Sequence, residues 1–396
     1  MTAAPVATRP LSAFLIAGEE SGDALGAGLM AALSDKLNGA VRFAGIGGDG
    51  MAKHGLTSLF PMEELSLHGI TAVLARLPGL IRRINQTVAA VLAANPDVLV
   101  AIDCPAFSLR VARRVRRLRP DIAIVDYVSP SVWAYFPGRA RTMARFVDRV
   151  LAILPFEPEA HRRLGGPPCT YVGHPLITRL DVLRPAPGER PMPGDGGKPP
   201  VLLVMPGSRR SEISRLMQPF GEAVAEIAAR AGPLDIVLPA VPRRVAEIRA
   251  RAESWPVKPR IVEGEPAKLA AFRSARAALV ASGTTTLELA LSGVPMAVAY
   301  RVDPIIKPFK GMLQAKSIVL ANLVLDERAI PEFIDSDSAP ERLADAVVPL
   351  IGDTPERAAQ MAAFARLDEL MESGGVSPSV RAADALLETL QARKRG

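Results

Sequence analysis

Residues 11–30 read LSAFLIAGEESGDALGAGLM and contain the clearest indication of the fold class. Residues 11–17 are almost all apolar, which predicts a strand that is buried on both faces. The Gly-rich turn from Gly18 to Asp23 follows, and helical spacing begins at Ala24. A strand, a Gly-rich loop and a helix in this order are typical of a parallel α/β sheet covered by helices.

The same order of elements returns further along the chain. In the first half, residues 98–102 and 123–128 form apolar runs that each end at a polar or Pro-containing turn. In the second half, residues 201–205 and 277–280 do the same, and residues 285–291 read as the helix that follows. The pattern predicts the α/β class, with two Rossmann-like domains whose parallel sheets face a central cleft.

The domain boundaries follow from length and composition. At 396 residues the chain exceeds an ordinary single core. Residues 183–200 are rich in Pro, Gly and charge, which favours a linker. The predicted organisation is an N-terminal Rossmann-like domain at 1–182, the linker at 183–200, a second Rossmann-like domain at 201–370, and a C-terminal helix at 371–396 that packs back on the first domain.

The bulk composition narrows the class of protein. Hydrophobic residues make up 49% and charged residues 22% of the chain, which is typical of a folded globular protein. No apolar run approaches the roughly 18 residues that span a bilayer. Glu19 and Glu20 follow the first apolar run where a secretory signal would have a cleavage site, so the cytoplasm is the expected compartment. Two cysteines and four histidines show no zinc-type spacing, and we expect neither metal nor cofactor.

The formal charge of +7 favours an anionic partner. Six arginines lie between positions 110 and 119, which indicates either a solvated helix face or attraction to lipid phosphates. Residues 65–84 combine apolar positions with basic flanks, as in a helix that lies in a membrane interface, although a core-facing helix pair fits equally well. Nucleic acid is not expected as a partner, because aromatic residues make up only 5% of the chain.

The segment ASGTTTLE, residues 281–288, is the strongest chemical signal in the second half. It lies between a predicted buried strand and a helix, where small residues and a helix N-terminus bind a diphosphate. We predict ligand contacts at Ser282, Gly283, Thr284 and Thr285, and ribose hydrogen bonds to Glu288. The alternative is that the Ser and Thr residues only cap the helix.

A second loop, PGSRRSEI at residues 206–213, follows the first strand of the second half. Ligands of open α/β sheets bind at the carboxyl ends of such strands. We predict that Arg209 stabilises a leaving phosphate and that Ser208 and Glu212 contact substrate. Taken alone, the loop also fits an ordinary surface turn.

In the first half, Asp103 ends an apolar strand, where a carboxylate facing a cleft is able to accept a proton from a sugar hydroxyl. Glu19, Ser21 and Asp23 on the first loop are further candidates for substrate contact. Helix capping is the alternative for Ser21, Asp23 and Asp103. His174 is expected to have a supporting role in the same cleft.

Ten segments in chain order carry a resemblance to a known family. They are AGEESGDALGA (17–27), GIGGDGM (45–51), IDCPAF (102–107), YVSPSVWAY (127–135), LPFE (154–157), VGHPL (172–176), MPGSRRSEI (205–213), ASGTTTLE (281–288), PMAVAYR (295–301) and IPEF (330–333). Together they resemble the lipid A disaccharide synthase family, glycosyltransferase family 19, which has the GT-B architecture.

The resemblance implies an inverting transfer of 2,3-diacylglucosamine from UDP to the 6-hydroxyl of 2,3-diacylglucosamine 1-phosphate. Asp103 matches the family's candidate base, Arg209, residues 282–285 and Glu288 match its UDP-binding elements, and Asn322 matches weakly. It implies no metal ion. It also implies a peripheral location on the inner face of the inner membrane, and it leaves a homodimer open.

Several positions depart from the family pattern. Ala106 stands where the family has a second Asp, so any role of that carboxylate is absent here. Tyr135 and Phe136 replace a Trp-Arg pair, which leaves the acceptor contacts of that loop open. The alternative enzyme is a GT-B relative that acts on soluble UDP-N-acetylglucosamine, such as a 2-epimerase. A basic nucleic-acid-binding protein is the third hypothesis.

Overall fold

The computed structural model describes residues 9–65, 77–190, 198–302, 316–372 and 374–395. The chain divides into two compact units. The first comprises Met1–Pro175 and Ser373–Gly396, and the second comprises Leu176–Glu372. Each unit contains a six-stranded parallel sheet, which confirms the predicted α/β class with two Rossmann-like folds.

The first unit has the strand order β2-β1-β3-β4-β5-β6. Its strands are β1 (Leu11–Ala17), β2 (Val41–Ile46), β3 (Val98–Ile102), β4 (Ala123–Tyr127), β5 (Arg149–Ala152) and β6 (Cys169–Tyr171). Its helices are α1 (Glu20–Lys36), α2 (Asp49–Ala52), α3 (Leu77–Ala94), α4 (Pro105–Leu118), α5 (Gly138–Met143) and α6 (Glu157–Leu164). Every residue of β3 and β4 is buried, as continuous apolar runs in a parallel sheet require.

The second unit has the strand order β12-β11-β10-β7-β8-β9. Its strands are β7 (Val201–Met205), β8 (Asp235–Ala240), β9 (Arg260–Glu263), β10 (Ala275–Ala281), β11 (Met296–Tyr300) and β12 (Glu332–Ile334). Its helices are α7 (Leu180–Leu183), α8 (Arg210–Ala231), α9 (Val245–Ala252), α10 (Glu265–Ser274), α11 (Thr285–Leu291), α12 (Leu320–Leu325), α13 (Pro340–Ile351) and α14 (Pro355–Met371).

Both sheets reverse their order of winding between two neighbouring strands. In the first unit the reversal lies between β1 and β3, and in the second it lies between β7 and β10. Open α/β sheets bind ligands outside the carboxyl ends of the strands at such a point. The loops that follow these four strands contain most of the predicted site residues.

The last helix, α15 (Pro378–Arg395), belongs to the first unit and contacts α1, β4 and β5. Arg381 donates a hydrogen bond of 2.8 Å to the carbonyl oxygen of Tyr171. Ion pairs join Lys36 to Asp384 at 2.8 Å and Arg149 to Glu388 at 3.0 Å. The C-terminal segment therefore returns to the N-terminal fold.

The predicted linker at 183–200 is not a free spacer along its first part. The boundary between the units lies at Pro175 and Leu176, so the linker begins inside the second unit. The guanidinium group of Arg190 donates hydrogen bonds to the carbonyl oxygens of Ser292 at 2.8 Å and Gly293 at 2.5 Å. The composition of the segment did not reveal this, because the carbonyl groups that bind Arg190 lie about 100 residues away. Residues 191–197 lie outside the described ranges.

Two helices begin earlier than the sequence pattern predicts. α1 begins at Glu20, four residues before Ala24, and α8 begins at Arg210 inside the predicted loop. Acidic side chains in the first turn stabilise a helix N-terminus, and Glu20, Asp23 and Glu212 occupy such positions.

No helix in the described ranges is long and apolar enough to cross a bilayer. Most of the segment at 65–84, which fits either a helix in the membrane interface or a core-facing helix pair, lies outside those ranges. Only its end is described, as the start of α3.

Candidate functional site

Asp103 lies directly after β3, at the reversal point of the first sheet. Its backbone has a φ of +43°, a left-handed conformation that is uncommon outside glycine. The Asp103 N–H donates to the carbonyl oxygen of Tyr127 at 3.1 Å, which ties the turn to β4. The hydroxyl group of Ser21 donates to Asp103 Oδ2 at 2.7 Å. The structure thus brings together Ser21 and Asp103, which the sequence analysis named as candidates on two separate loops.

The environment of Asp103 makes its carboxylate more basic than usual. Burial raises the pKa of Asp103, the hydrogen bond from Ser21 lowers it, and the negative charge of Glu19 raises it, with a net shift upward. A raised pKa brings a carboxylate closer to the range in which a general base works best.

Two glycines allow the first loop to approach β3 this closely. A Cβ atom on Gly18 would lie 2.4 Å from the sulfur of Cys104, and one on Gly22 would lie 3.3 Å from the carbonyl oxygen of Ile102. A larger residue at Gly18 would therefore push α1 away from Asp103. The Gly-rich turn therefore allows Ser21 to come within hydrogen-bonding distance of Asp103.

Asp23 binds the loop that follows β2. It is buried, and its two carboxylate oxygens accept hydrogen bonds from the backbone N–H groups of Gly48, Gly50 and Met51 at 2.7, 2.7 and 3.0 Å. Both oxygens are engaged by that loop. We therefore assign Asp23 to holding residues 48–51, and a substrate contact at Asp23 stays a prediction.

Neither Ser21 nor Asp23 caps α1, because the helix begins at Glu20 and its N-cap position is Glu19. Glu19 is exposed at the same edge of the sheet as Asp103. His174 is buried, and burial lowers its pKa to about 4, so its imidazole is neutral at physiological pH.

A buried polar cluster next to Asp103 escaped the sequence analysis. It contains Asp126 on β4, Ser129 after β4, and Glu157 and His161 on α6. Burial raises the pKa of Glu157 to about 7, and burial followed by the charges of Asp103 and Glu157 raises the pKa of Asp126 well above its usual value. The available signal was the motif pair YVSPSVWAY and LPFE, which we used for the resemblance alone.

In the second unit, a cavity of about 480 Å³ opens at the reversal point between β7 and β10. This volume is in the range of small-molecule sites. Its wall includes seven predicted residues, namely Ser208, Arg209, Glu212, Ser282, Gly283, Thr284 and Thr285. The two loops that the sequence singled out therefore share one cavity.

The Thr-rich turn lines this cavity and is open at Gly283. Gly283 and Thr284 are exposed, and a Cβ atom on Gly283 would meet nothing within 4 Å. The hydroxyl group of Ser282 donates to the carbonyl oxygen of Ile318 at 2.7 Å, so it is engaged by the protein. Amide groups at the start of α11 are suited to an anionic ligand.

On the opposite loop, Glu212 organises the backbone around Arg209. Its carboxylate accepts hydrogen bonds from the N–H groups of Ser208 at 3.1 Å and Arg209 at 3.2 Å, and it pairs with the Arg209 guanidinium at 3.0 Å. Gly207 has a φ of +108° and leaves room for this carboxylate. We therefore assign Glu212 to positioning Arg209, whose side chain is 67% exposed.

Lys268 on α10 is a cavity residue that the sequence analysis missed. It lines the cavity, and its ammonium group binds the two carboxylate oxygens of Glu288 at 3.1 and 2.9 Å. The loop and helix that follow β9 repeat the arrangement after the other strands of this sheet, and this repetition would have indicated Lys268 as a candidate.

Asn322 does not line this cavity. It is buried, and its amide group donates to the carbonyl oxygen of Ile330 and to Glu332, both at 2.8 Å, and accepts from the Ile330 N–H at 2.9 Å. These bonds hold α12 against the IPEF segment. We therefore assign Asn322 a structural role, and a ligand contact at Asn322 stays a prediction.

Comparison with known proteins identifies the family. The family model described as Lipid-A-disaccharide synthetase matches residues 13–383. This chain belongs to that family. The lipid-A-disaccharide synthase of Nitrobacter hamburgensis is 55% identical over 384 residues, which are 96% of each chain. That of Rhodospirillum centenum is 43% identical over 389 residues, which are 97% of this chain and 96% of the relative. The resemblance seen in the motifs is confirmed.

Solved structures share the fold of this family member at low sequence identity. The glycosyltransferase of kitacinnamycin has a TM-score of 0.61 and 18% identity, covering 96% of this chain and all (100%) of that chain. The UDP-GlcNAc 2-epimerase of Neisseria meningitidis, bound to UDP-GlcNAc, has a TM-score of 0.59 and 12% identity, with coverages of 96% and 100%. These likenesses show the fold alone and confirm the GT-B class. The 2-epimerase alternative is not favoured, because the synthases match in sequence as well.

Proposed function

We propose that this chain joins UDP-2,3-diacylglucosamine to 2,3-diacylglucosamine 1-phosphate and releases lipid A disaccharide 1-phosphate and UDP. Membership of the lipid-A-disaccharide synthetase family supports this reaction. The assignment of residues depends on Asp103. Its carboxylate has a raised pKa and lies at the reversal point of the first sheet.

In the proposed reaction Asp103 acts as the general base. It removes the proton from the 6-hydroxyl group of the acceptor while the hydroxyl oxygen forms a bond to C1 of the donor sugar. The bond from C1 to the diphosphate oxygen breaks, and its electron pair leaves with UDP. One displacement inverts the α-linked donor to a β-1,6 linkage, so no covalent intermediate with the protein is needed.

The leaving UDP is proposed to bind in the cavity between the loops after β7 and β10. Backbone amides of residues 283–285 and the exposed guanidinium group of Arg209 stabilise the diphosphate by charge and hydrogen bonds. Glu288, paired with Lys268, is proposed to accept hydrogen bonds from the ribose. In this proposal cationic side chains and amides take the role that a metal ion has in other transferases. The described residues contain no group of three or more His, Cys, Asp or Glu side chains arranged for a metal ion.

A peripheral location on the inner face of the inner membrane is part of the proposal. Arg110, Arg113 and Arg117 on α4 are exposed, which gives the first unit a basic surface suited to anionic lipids. The neighbouring helix α3 exposes Ile81. A homodimer stays a prediction from the resemblance.

Incubation of the purified chain with both acylated substrates, followed by mass analysis of the lipid, tests the activity. The expected product is the disaccharide 1-phosphate, together with one UDP per disaccharide. A glucosamine acceptor whose 6-hydroxyl is replaced by hydrogen is the matched control and should give no product. Formation of N-acetylmannosamine from UDP-N-acetylglucosamine would instead support the epimerase.

A further inference from the structure

The loop after β4, residues 128–137, exposes two aromatic side chains in succession. Tyr135 is 53% exposed and Phe136 is 55% exposed. The guanidinium carbon of Arg139 lies 5.7 Å from the centre of the Phe136 ring. Exposed rings beside a cation form a surface that suits an apolar ligand with an anionic group.

Contacts of Trp133 and Tyr135 hold this loop in place. The indole N–H of Trp133 donates to Glu157 Oε1 at 3.2 Å, and the Trp133 ring packs edge-on against Phe156 with centroids 5.2 Å apart. The Tyr135 N–H donates to the carbonyl oxygen of Ser131 at 2.9 Å, which closes the turn. The exposed rings of Tyr135 and Phe136 therefore project from a loop that its own contacts hold in place.

Directed hydrogen bonds among buried side chains support the loop. Ser129 is hydrogen-bonded to Glu157, and its oxygen lies 2.8 Å from His161 Nε2. When Glu157 is ionised its carboxylate only accepts, so the Ser129 hydroxyl donates to Glu157 and accepts from His161 Nε2–H. His161 Nδ1 is then the unprotonated nitrogen, consistent with its lack of a hydrogen-bond partner. Glu157 also accepts from the Leu154 N–H at 3.0 Å, so this one carboxylate joins the loop to α6.

The backbone of the loop is strained at both ends. Val128 has a φ of +79° and Phe136 has a φ of +52°, a conformation that β-branched and bulky residues rarely adopt. Such strain persists where the surroundings fix the conformation, and it is concentrated at functional sites. The position of Phe136 is therefore set by the contacts of the loop.

The loop begins beside the proposed base. β4 is the neighbour of β3 in the sheet, and the Asp103 N–H binds the carbonyl oxygen of Tyr127, the last residue of β4. A ligand whose hydroxyl group reaches Asp103 therefore lies at the same edge of the sheet as the loop that contains Tyr135 and Phe136. The nucleotide cavity belongs to the other unit.

We propose that Tyr135 and Phe136 contact an acyl chain of the acceptor, and that Glu157 is the positioning residue that holds these rings in place. The inference rests on the proposed function, in which Asp103 acts on the acceptor. It names the acceptor because the aromatic pair and Asp103 share one unit and one sheet edge. The 1-phosphate supplies the anion that suits Arg139.

The contact is tested with Phe136→Ser and Tyr135→Ser, with Val376→Ser as the control at another exposed apolar residue of the same unit. Kinetics in detergent mixed micelles should show an acceptor KM raised about tenfold in Phe136→Ser, the low end for exposing a buried Phe side chain. The donor KM and kcat should not change. With a deacylated acceptor, wild type and variant should be equal.

The positioning role is tested with Glu157→Gln, which keeps the shape of the side chain but weakens its bond to Trp133, and with Trp133→Phe, which keeps an aromatic ring but removes the indole N–H. Both should raise the acceptor KM while kcat and the donor KM stay at wild-type values. A merely structural role would lower kcat and the folded fraction together, which urea unfolding monitors. An unchanged acceptor KM in a folded Glu157→Gln variant would remove the positioning role.

Two outcomes separate this inference from the proposed function. Binding of the acylated sugar phosphate alone, measured in the same micelles, should be weaker in Phe136→Ser whether or not product forms. Absence of product from wild type would overturn the proposed function only. Equal binding by wild type and Phe136→Ser would overturn the acyl contact, and weaker vesicle binding with an unchanged acceptor KM would assign the rings to the membrane surface.

Discussion

Ser21 donates a hydrogen bond of 2.7 Å to Asp103, although the two residues are 82 positions apart in the chain. The contact arises because β1 and β3 are neighbours in the sheet, so the loops that follow them meet. Ser21 and Glu19 act on Asp103 in opposite directions, since the hydrogen bond stabilises the carboxylate and the negative charge destabilises it. The first loop therefore tunes the basicity of Asp103.

Replacement of Asp103 by Asn should lower kcat by about 10²- to 10⁴-fold, the usual contribution of a general base. Asn keeps the shape of the side chain but does not accept a proton. The affinity for UDP, measured by calorimetry, should stay at the wild-type value because the nucleotide cavity lies in the second unit. Asp121→Asn, at an exposed acid before β4, is the control. Near-normal turnover in Asp103→Asn would exclude the base assignment.

Ser21→Ala and Glu19→Gln should move the acidic limb of the kcat/KM profile in opposite directions. The base must be unprotonated, so activity rises with pH through the pKa of Asp103. Loss of the Ser21 hydrogen bond raises this pKa and shifts the limb to higher pH, whereas loss of the Glu19 charge lowers it and shifts the limb to lower pH. Shifts of the same sign in both variants would show that another group controls the limb.

The strands and the edges that hold the site were predictable from the sequence. Apolar runs in a parallel sheet are buried on both faces, and β3, β7 and α11 lie where the pattern placed them. The loops after β1, β3, β7 and β10 were therefore recognisable as the ligand-binding edges. This holds because the pattern records burial, which dominates the energetics of strands.

The roles of individual polar residues at these edges were less predictable. Asp23 and Glu212 lie in motifs of the family, and Asn322 matches the family weakly. The side chains of all three bind backbone groups of nearby or distant loops. A buried backbone N–H or carbonyl needs a partner, and the sequence does not show which groups are buried. Glu157 and Lys268 were missed for the same reason, since their partners are set by tertiary contacts.

Asn322→Ala and Arg209→Ala should separate stability from ligand binding. Asn322→Ala removes the side-chain partner of the buried Ile330 N–H and carbonyl groups, and we expect a loss of about 2 kcal/mol in the free energy of unfolding. Its affinity for UDP, measured in the folded state, should not change. Arg209→Ala should weaken UDP binding with little change in stability, because its ion pair is exposed. Weaker UDP binding by a folded Asn322→Ala variant would return Asn322 to the ligand site.

Lys268→Met should weaken the binding of uridine and of UDP by the same factor. The ammonium group of Lys268 binds both oxygens of Glu288, so it fixes the carboxylate that we propose for the ribose. Loss of this bond should cost about tenfold in affinity, which corresponds to about 1.4 kcal/mol. Calorimetry with uridine, which has no phosphate, distinguishes this effect from direct attraction of the diphosphate to Lys268.

Lys268→Arg keeps a cation that is able to pair with Glu288, and it should retain more affinity than Lys268→Met for both ligands. Glu288→Gln should give the same loss for uridine as Lys268→Met, because both variants remove one member of a single pair. The double variant should then be no weaker than either single variant, since coupled residues are not additive. A weaker affinity for UDP with unchanged affinity for uridine in Lys268→Met would instead assign Lys268 to the diphosphate.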